Sequence, residues 1–282
     1  MIPINDGIET KASPTINVCG LVLMRLPGDI GIAGFLINLD RSPDRLAAAA
    51  KQLDDAGLVW SRVRAVDGQL LGPDIWSHVD KRSFERNVGR RISASEVAVY
   101  LSHSLAIAAF QCSSARFGLI LEDDFFIRDS RAFPQMLEAL VRNADRWDIV
   151  KLSGARRHPF PVRQFELTDK YVLGAPLCKT TGNAAYLMNQ RAAAIVQSAL
   201  RPFQDHFDHQ FDQPWRYGLR YRLVYPFPVL ENRAFRHTVD YRHRAAKFPS
   251  FQRRHALYYR IRVGLRRLAY NARHGFFLRV SA

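Results

Sequence analysis

Short, nearly unbroken apolar runs alternate along this chain with longer stretches in which apolar positions recur every three or four residues. The first kind predicts buried strands, the second helices with one apolar face, and their alternation predicts an α/β fold. Ile32 to Leu39 reads as a strand. A helix follows from about Leu46 to Ala56, behind Ser42 as N-cap, Pro43 at the first helical position and Gly57 as the stop. Leu58 to Val66 alternates toward another strand and closes on the turn signal Asp67-Gly68, so these elements predict a βαβ unit in a parallel sheet.

Residues 69 to 91 are mixed and polar and predict no definite element. Ser93-Ala94-Ser95-Glu96 fits a capping box, and Val97, Leu101, Leu105 and Ala108 form the apolar stripe of a helix reaching about Phe110. Strands are expected at 117–122 and 147–152, with a helix between them from Arg131 to Arg142. Beyond Gly154 the rhythm loosens around prolines 159, 161 and 176, with hairpin strands expected near 170–173 and 184–188. A helix from Arg191 to Leu200, an acid- and histidine-rich segment at 205–212 and a strand at 220–225 complete the body. With no repeat and no low-complexity linker, one domain over 31–232 is the simplest partition, preceded by an extension at 1–30 and followed by a tail at 233–282.

Composition narrows the class. A chain of 282 residues that is 48% hydrophobic can fill a globular core. Cys19, Cys112 and Cys178 are odd in number and widely spaced, which favours a reducing compartment over a disulfide framework. The first residues lack the apolar core of a secretory signal, and no run spans a bilayer. Net charge is +15, but residues 233–282 hold thirteen Lys and Arg against Asp240 alone, so +12 of it sits in the tail.

The chemistry is densest at Glu122-Asp123-Asp124, directly after the apolar run from Phe117 to Leu121. Carboxylates crowded at a strand end repel unless a cation sits among them, so the segment reads either as a divalent-metal site or as an acidic, solvated turn. Asn38, Asp40 and Arg41 follow another strand, where open α/β sheets gather their ligands; together these groups suit a nucleotide and its metal. Arg41 and Arg45 face either phosphates or solvent. The absence of GxxxxGK[ST] and GxGxxG argues against a P-loop or a dinucleotide fold.

Five segments in order carry a resemblance: Phe35 to Arg45 (FLINLDRSPDR), Ala65 to Gly68 (AVDG), Glu96 with Leu101-Ser102-His103, Leu119 to Asp124 (LILEDD), and Thr181 to Leu187 (TGNAAYL). Over roughly residues 32–232 the chain resembles glycosyltransferase family 25, which contains lipooligosaccharide galactosyl- and glucosyltransferases. The resemblance implies a GT-A-like, Rossmann-type mixed sheet flanked by helices, a UDP-sugar donor, Mn²⁺ or Mg²⁺, and inverting transfer of a hexose. Glu122 and Asp124 then act like the outer acids of a DxD motif on the metal, with Asp123 between them. The first acid is a glutamate, so the division of metal and ribose between Glu122 and Asp123 stays open. Asn38, Asp40, Arg41, Arg45, His103, Glu122 and Asp123 fall on the donor side, and Thr181, Gly182 and Asn183 on the acceptor side. Phe207 to Trp215 resembles the family's Asp-His stretch, making Asp208 the first candidate for general base with His209 and Asp212 behind it. Glu96 reads as a cap and Lys151 as a lysine at a strand end near the cleft.

In the tail, Leu257, Ile261, Leu265 and Leu268 share one helical face within residues 250–272, with arginines largely elsewhere. Such a helix suits an anionic membrane surface, where a lipid-linked glycan acceptor would be met, or packs on the body with its arginines solvated. The expected location is the cytoplasm, on the inner face of the membrane. A nucleotidyltransferase is the rival enzyme, and a nucleic-acid binder through the tail is the disfavoured rival from another class.

Overall fold

The computed structural model describes residues 31–154, 161–232, 234–235 and 254–275. The extension at 1–30 and tail residues 236–253 therefore lie outside the described residues. An eight-stranded mixed sheet is flanked by helices on both faces, as the apolar pattern predicts. Its strands are β1 (Ile32–Asn38), β2 (Trp60–Arg64), β3 (Phe117–Glu122), β5 (Ile149–Lys151), β6 (Pro161–Glu166), β7 (Val172–Pro176), β8 (Ala185–Asn189) and β9 (Tyr221–Tyr225), in the order β2-β1-β3-β8-β5-β9-β7-β6. A separate two-stranded ribbon joins β4 (Phe125–Ile127) to β10 (Val229–Glu231).

The period of two along each strand divides the core into two layers. Phe35, Ile37, Ile120, Tyr186 and Tyr221 point to the face covered by α3 (Ala94–Gln111) and α5 (Gln190–Ala199). Leu36, Leu119, Leu121, Val150 and Leu187 point to the opposite face, against α1 (Pro43–Asp55) and α4 (Ala132–Arg142). Both layers are buried, so neighbouring positions of one strand are covered on both sides and the runs read as unbroken.

Strand directions decide where the site falls. β1 runs parallel to β2 and β3, and β5 parallel to β9, while β8 is antiparallel to both β3 and β5. The C-terminal ends of β1, β2, β3, β5 and β9 therefore share one edge with the N-terminal end of β8. The predicted βαβ unit and capping box are both present, the latter with Ser93 and Glu96 each satisfying the other's backbone N–H.

Two expectations change. The strands foreseen near 170–173 and 184–188 exist as β7 and β8 but do not pair; β7 pairs with β6 and β9, and β8 is inserted between β3 and β5. Residues 69–91 also hold a definite element, α2 (Lys81–Val88), with Asp80 accepting the Ser83 N–H at 2.9 Å and Gly89 closing it at φ 79°. Its polar surface hid the apolar signal, because Phe84 alone is buried.

Within the tail, α7 (Arg254–Tyr270) forms as the periodicity predicts and packs on the body, one of the two expected placements. Ala256, Tyr259, Arg267 and Tyr270 are buried, with Tyr259 accepting from Gln213 at 3.0 Å and Tyr270 accepting the Tyr221 N–H at 3.1 Å. The predicted apolar stripe is the other face: Leu257, Ile261, Leu265 and Leu268 are each more than half exposed.

Candidate functional site

At the shared edge, β1 ends in Asn38 and β3 in Glu122, and the three acids stand beside α1. Asn38 is buried; its Nδ2 donates to Asp123 Oδ2 at 2.7 Å while its Oδ1 accepts Arg62 Nε at 3.0 Å. Arg45, one turn into α1, bridges Asp123 Oδ1 and Asp124 Oδ2, the latter at 2.9 Å. Both oxygens of Asp123 are thus engaged. Asp124 Oδ1 is buried with no hydrogen-bond partner, and Glu122 is a third exposed with Oε1 3.1 Å from His103 Nε2.

Glu231 lines the same cleft, because pairing of β10 with β4 sets it opposite Phe125. Glu122, Asp123, Asp124 and Glu231 line the cleft together with Arg45 and Arg41. Burial first, then the charge of Glu122, pushes the Asp124 carboxyl up to about 7 against the opposing pull of Arg45. Burial likewise raises Asp123. Hard oxygen donors and a buried carboxylate oxygen without a hydrogen-bond partner fit a divalent cation.

The cleft's other wall is the Ala65–Gln69 segment against α3. Ser102 Oγ accepts the Val66 N–H at 2.9 Å, and Gly68 passes so close to α3 that a Cβ there would lie 2.8 Å from Ser95 Cα. Only glycine permits that approach. Arg41 lines the cleft, tied to Asp67 at 2.8 Å. Asp40 is half exposed and turned to Arg62 and Arg64; it is not among the cleft's lining residues. His103 is buried, its Nδ1 3.2 Å from the Tyr186 hydroxyl and its ring stacked on Phe207 at 4.1 Å.

A second cluster lies across β8. Lys151, fully buried at the end of β5, donates to the Thr181 and Gly182 carbonyls. Asp208, on the short helix α6 (Phe207–Phe211), accepts the Gly182 N–H at 3.0 Å through Oδ2 and the His209 N–H at 2.9 Å through Oδ1. Burial raises its pKa, but His209, the Gly182 N–H, His206 and Lys151 outweigh that and hold the carboxyl below its ordinary value. Asp208 is therefore ionised at neutral pH. Asn183 is buried with neither side-chain polar atom bonded.

Asp212, expected on the acceptor side, is fully buried: its carboxylate takes the Thr180 N–H at 2.9 Å, the Thr180 hydroxyl at 3.0 Å and Arg267 of α7 at 2.9 Å. Its contacts are with the protein. His209 rests on Asp205 at 3.2 Å and His206 on Glu96 at 2.8 Å. Asp205, His206 and His209 lie close enough to share an ion, but Arg90 already stands 3.4 Å from His206 Nε2, so a cation has that position. Glu96 is the structural cap it was expected to be; burial opposes its charge, but His206 and Arg90 hold it well below the usual range. Sequence reasoning missed Arg62, Tyr186, Glu231 and Arg267. Arg62 and Tyr186 sit in strands whose alternation could have flagged an inward polar group, whereas Glu231 and Arg267 carry no local signal.

Fold and edge together define a Rossmann-like α/β protein whose polar groups gather past the carboxyl ends of its strands. The family model described as glycosyltransferase family 25 (LPS biosynthesis protein) matches residues 32–209. The chain belongs to that family and is a glycosyltransferase. No curated protein matches it.

Lys151 gives a test of this electrostatic picture. Burial first of all lowers its pKa from 10.5 to about 8 against the pull of Asp212, Asp208 and Glu122. With the folded value below the unfolded one, the unfolded chain binds more protons between them, so the penalty is full below pH 8 and is relieved as pH rises toward 10.5. Wild type should gain roughly 2–3 kcal/mol relative to Lys151→Met between pH 7.5 and 10.5 in denaturant unfolding. A gap that does not move with pH would refute the assignment.

Proposed function

We propose that the chain transfers a hexose from a UDP-sugar, with a divalent cation and inversion at the anomeric carbon, to a lipopolysaccharide-type glycan at an anionic membrane surface. The observation that carries the donor half is the run of acids Glu122, Asp123 and Asp124 at the cleft, with Asp124 Oδ1 buried and left without a hydrogen-bond partner. Glu122 and Asp124 have oxygens to spare and would hold the cation, which supplies charge neutralisation to the departing diphosphate. Asp123, saturated by Asn38 and Arg45, orients the turn instead. Arg41 and Arg45 add cationic groups for phosphate oxygens on the cleft wall.

Asp208 is the proposed base: ionised, more than a quarter exposed and fixed through Gly182, it accepts the acceptor hydroxyl's proton as the glycosidic bond forms. Thr181, Gly182, Asn183 and His209 surround that position. The exposed stripe of α7 supports the membrane half of the reading, since Leu257, Tyr258, Ile261, Leu265 and Leu268 are ringed by exposed Arg254, Arg260, Arg262 and Arg266. Each arginine near an anionic surface adds about 1 kcal/mol, on top of burial of the apolar stripe.

The reading is tested by a panel of nucleotide sugars assayed for cation-dependent UDP release with and without membrane glycolipid. Asp124→Asn should lower transfer at least about 100-fold, near 3 kcal/mol of transition-state stabilisation, with little change in thermal unfolding. Full activity would end the cation assignment, and diphosphate in place of UDP would favour a nucleotidyltransferase. Asp208→Asn should lower kcat about 100-fold or more while calorimetry finds UDP affinity unchanged; lost UDP binding would move Asp208 to the donor side. Ile261→Glu with Leu265→Glu should abolish sedimentation with anionic vesicles at low salt, and undiminished sedimentation would remove α7 from the membrane.

A further inference from the structure

Thr180, Thr181 and Gly182 form a short loop entering β8, and three charged side chains grip its backbone. Asp212 holds the Thr180 N–H and hydroxyl, Lys151 the Thr181 and Gly182 carbonyls, and Asp208 the Gly182 N–H. Thr181 has φ 30° and Gly182 φ 72°, so a non-glycine residue is kept in left-handed backbone. Such a conformation persists only where its surroundings over-determine it. The grip supplies that determination, and it also fixes the oxygen of Asp208 opposite Gly182.

One of the three anchors depends on the tail. Asp212 is 0% exposed and its charge is met by Arg267, itself 4% exposed, which donates from α7 to the Asp212 carboxylate at 2.9 Å and to its backbone carbonyl. The Arg267 guanidinium also lies over the Trp215 ring, 5.4 Å from its centre. Arg267 lies well past residue 209, where the family match ends.

We propose that Arg267 is a positioning residue for sugar transfer: through Asp212 it sets the Thr180–Gly182 loop against Asp208, making α7 part of the acceptor side of the site. This rests on the reading of Asp208 as the base. The helix carries its exposed stripe on the face away from Arg267, so one rigid element carries both the proposed membrane contact and the acceptor loop's support. Tyr259 on Gln213, Tyr270 on Tyr221, and Asn271 on the Pro176 carbonyl at 3.0 Å dock the helix independently of Arg267. Substitution at Arg267 therefore tests positioning with the helix still in place.

The experiment compares the full chain with Arg267→Met and Arg267→Lys by hydrogen exchange over residues 178–184 and by steady-state transfer kinetics. In Arg267→Met the Thr180 and Gly182 amides should exchange at least about ten-fold faster, with β1 and β3 unchanged. Transfer kcat should fall roughly ten- to a hundred-fold while UDP affinity stays within about two-fold, and Arg267→Lys should recover part of the loss. Unchanged loop exchange, or undiminished kcat in the folded variant, overturns the proposal. Should Arg267→Met leave Asp212 uncompensated and fail to fold, the neutral pair Arg267→Met with Asp212→Asn gives the same two readings, a rigid loop with wild-type kcat again overturning it. If wild type turns over no nucleotide sugar, the transferase reading falls on its own and loop exchange alone decides the coupling, acceleration upholding it and no change overturning it.

Discussion

Three consecutive carboxylates at the end of a buried strand repel one another, and most of this molecule's polar design follows from containing that repulsion. Asn38 and Arg45 are the two groups that do it. They come from one strand and the first turn of the next helix, so the β1-to-α1 connection is fixed by the charge it must neutralise. Arg62 on β2 then holds Asn38 in the orientation that leaves its amide N–H on Asp123. The containment is incomplete, since burial and the charge of Glu122 keep Asp124 above its ordinary pKa.

The antiparallel insertion of β8 gives the site its second half. Because β8 enters at the edge where β3 and β5 leave, the loop before it passes between Glu122 and Lys151. Lys151 is consequently a buried cation among Asp212, Asp208 and Glu122, with its pKa depressed and its amine spent on two loop carbonyls. His103 makes a lateral connection, joining Glu122 to Tyr186 on β8 and stacking on Phe207 beside Asp208. The acids at the end of β3 and the groups around Asp208 are thus parts of one packed network.

How much of this was legible depended on whether a residue's role is set by neighbours in sequence. The strands 32–38 and 117–122, the Ser93–Glu96 capping box and the helix at 190–199 were readable because burial and capping follow local periodicity. Helix α2 was missed because one buried residue, Phe84, makes too weak a stripe. The pairing of β7 with β6 and β9 was beyond local pattern, since alternation says that a strand exists and not beside which other strand it lies. The acids, Arg45, His103 and Asp208 stood out as site candidates through their motifs. Asp212 stood out beside Asp208, but its partner Arg267, 55 residues away, gave no local signal.

That distant pair takes one of the tail's arginines out of its surface charge. Twelve of the chain's excess positive charges lie at 233–282, yet Arg267 is not available to any outside anion because Asp212 has consumed it. A buried ion pair is weak evidence for stability, as two well-packed apolar residues in its place would often serve equally well. What an apolar pair cannot do is accept the Thr180 N–H and hydroxyl together, and those bonds keep Thr181 in its left-handed backbone. Without a countercharge the Asp212 carboxylate would itself be too costly to bury. The arginine is therefore required by the aspartate, the aspartate by the loop, and the loop by the Asp208 carboxylate that rests on Gly182.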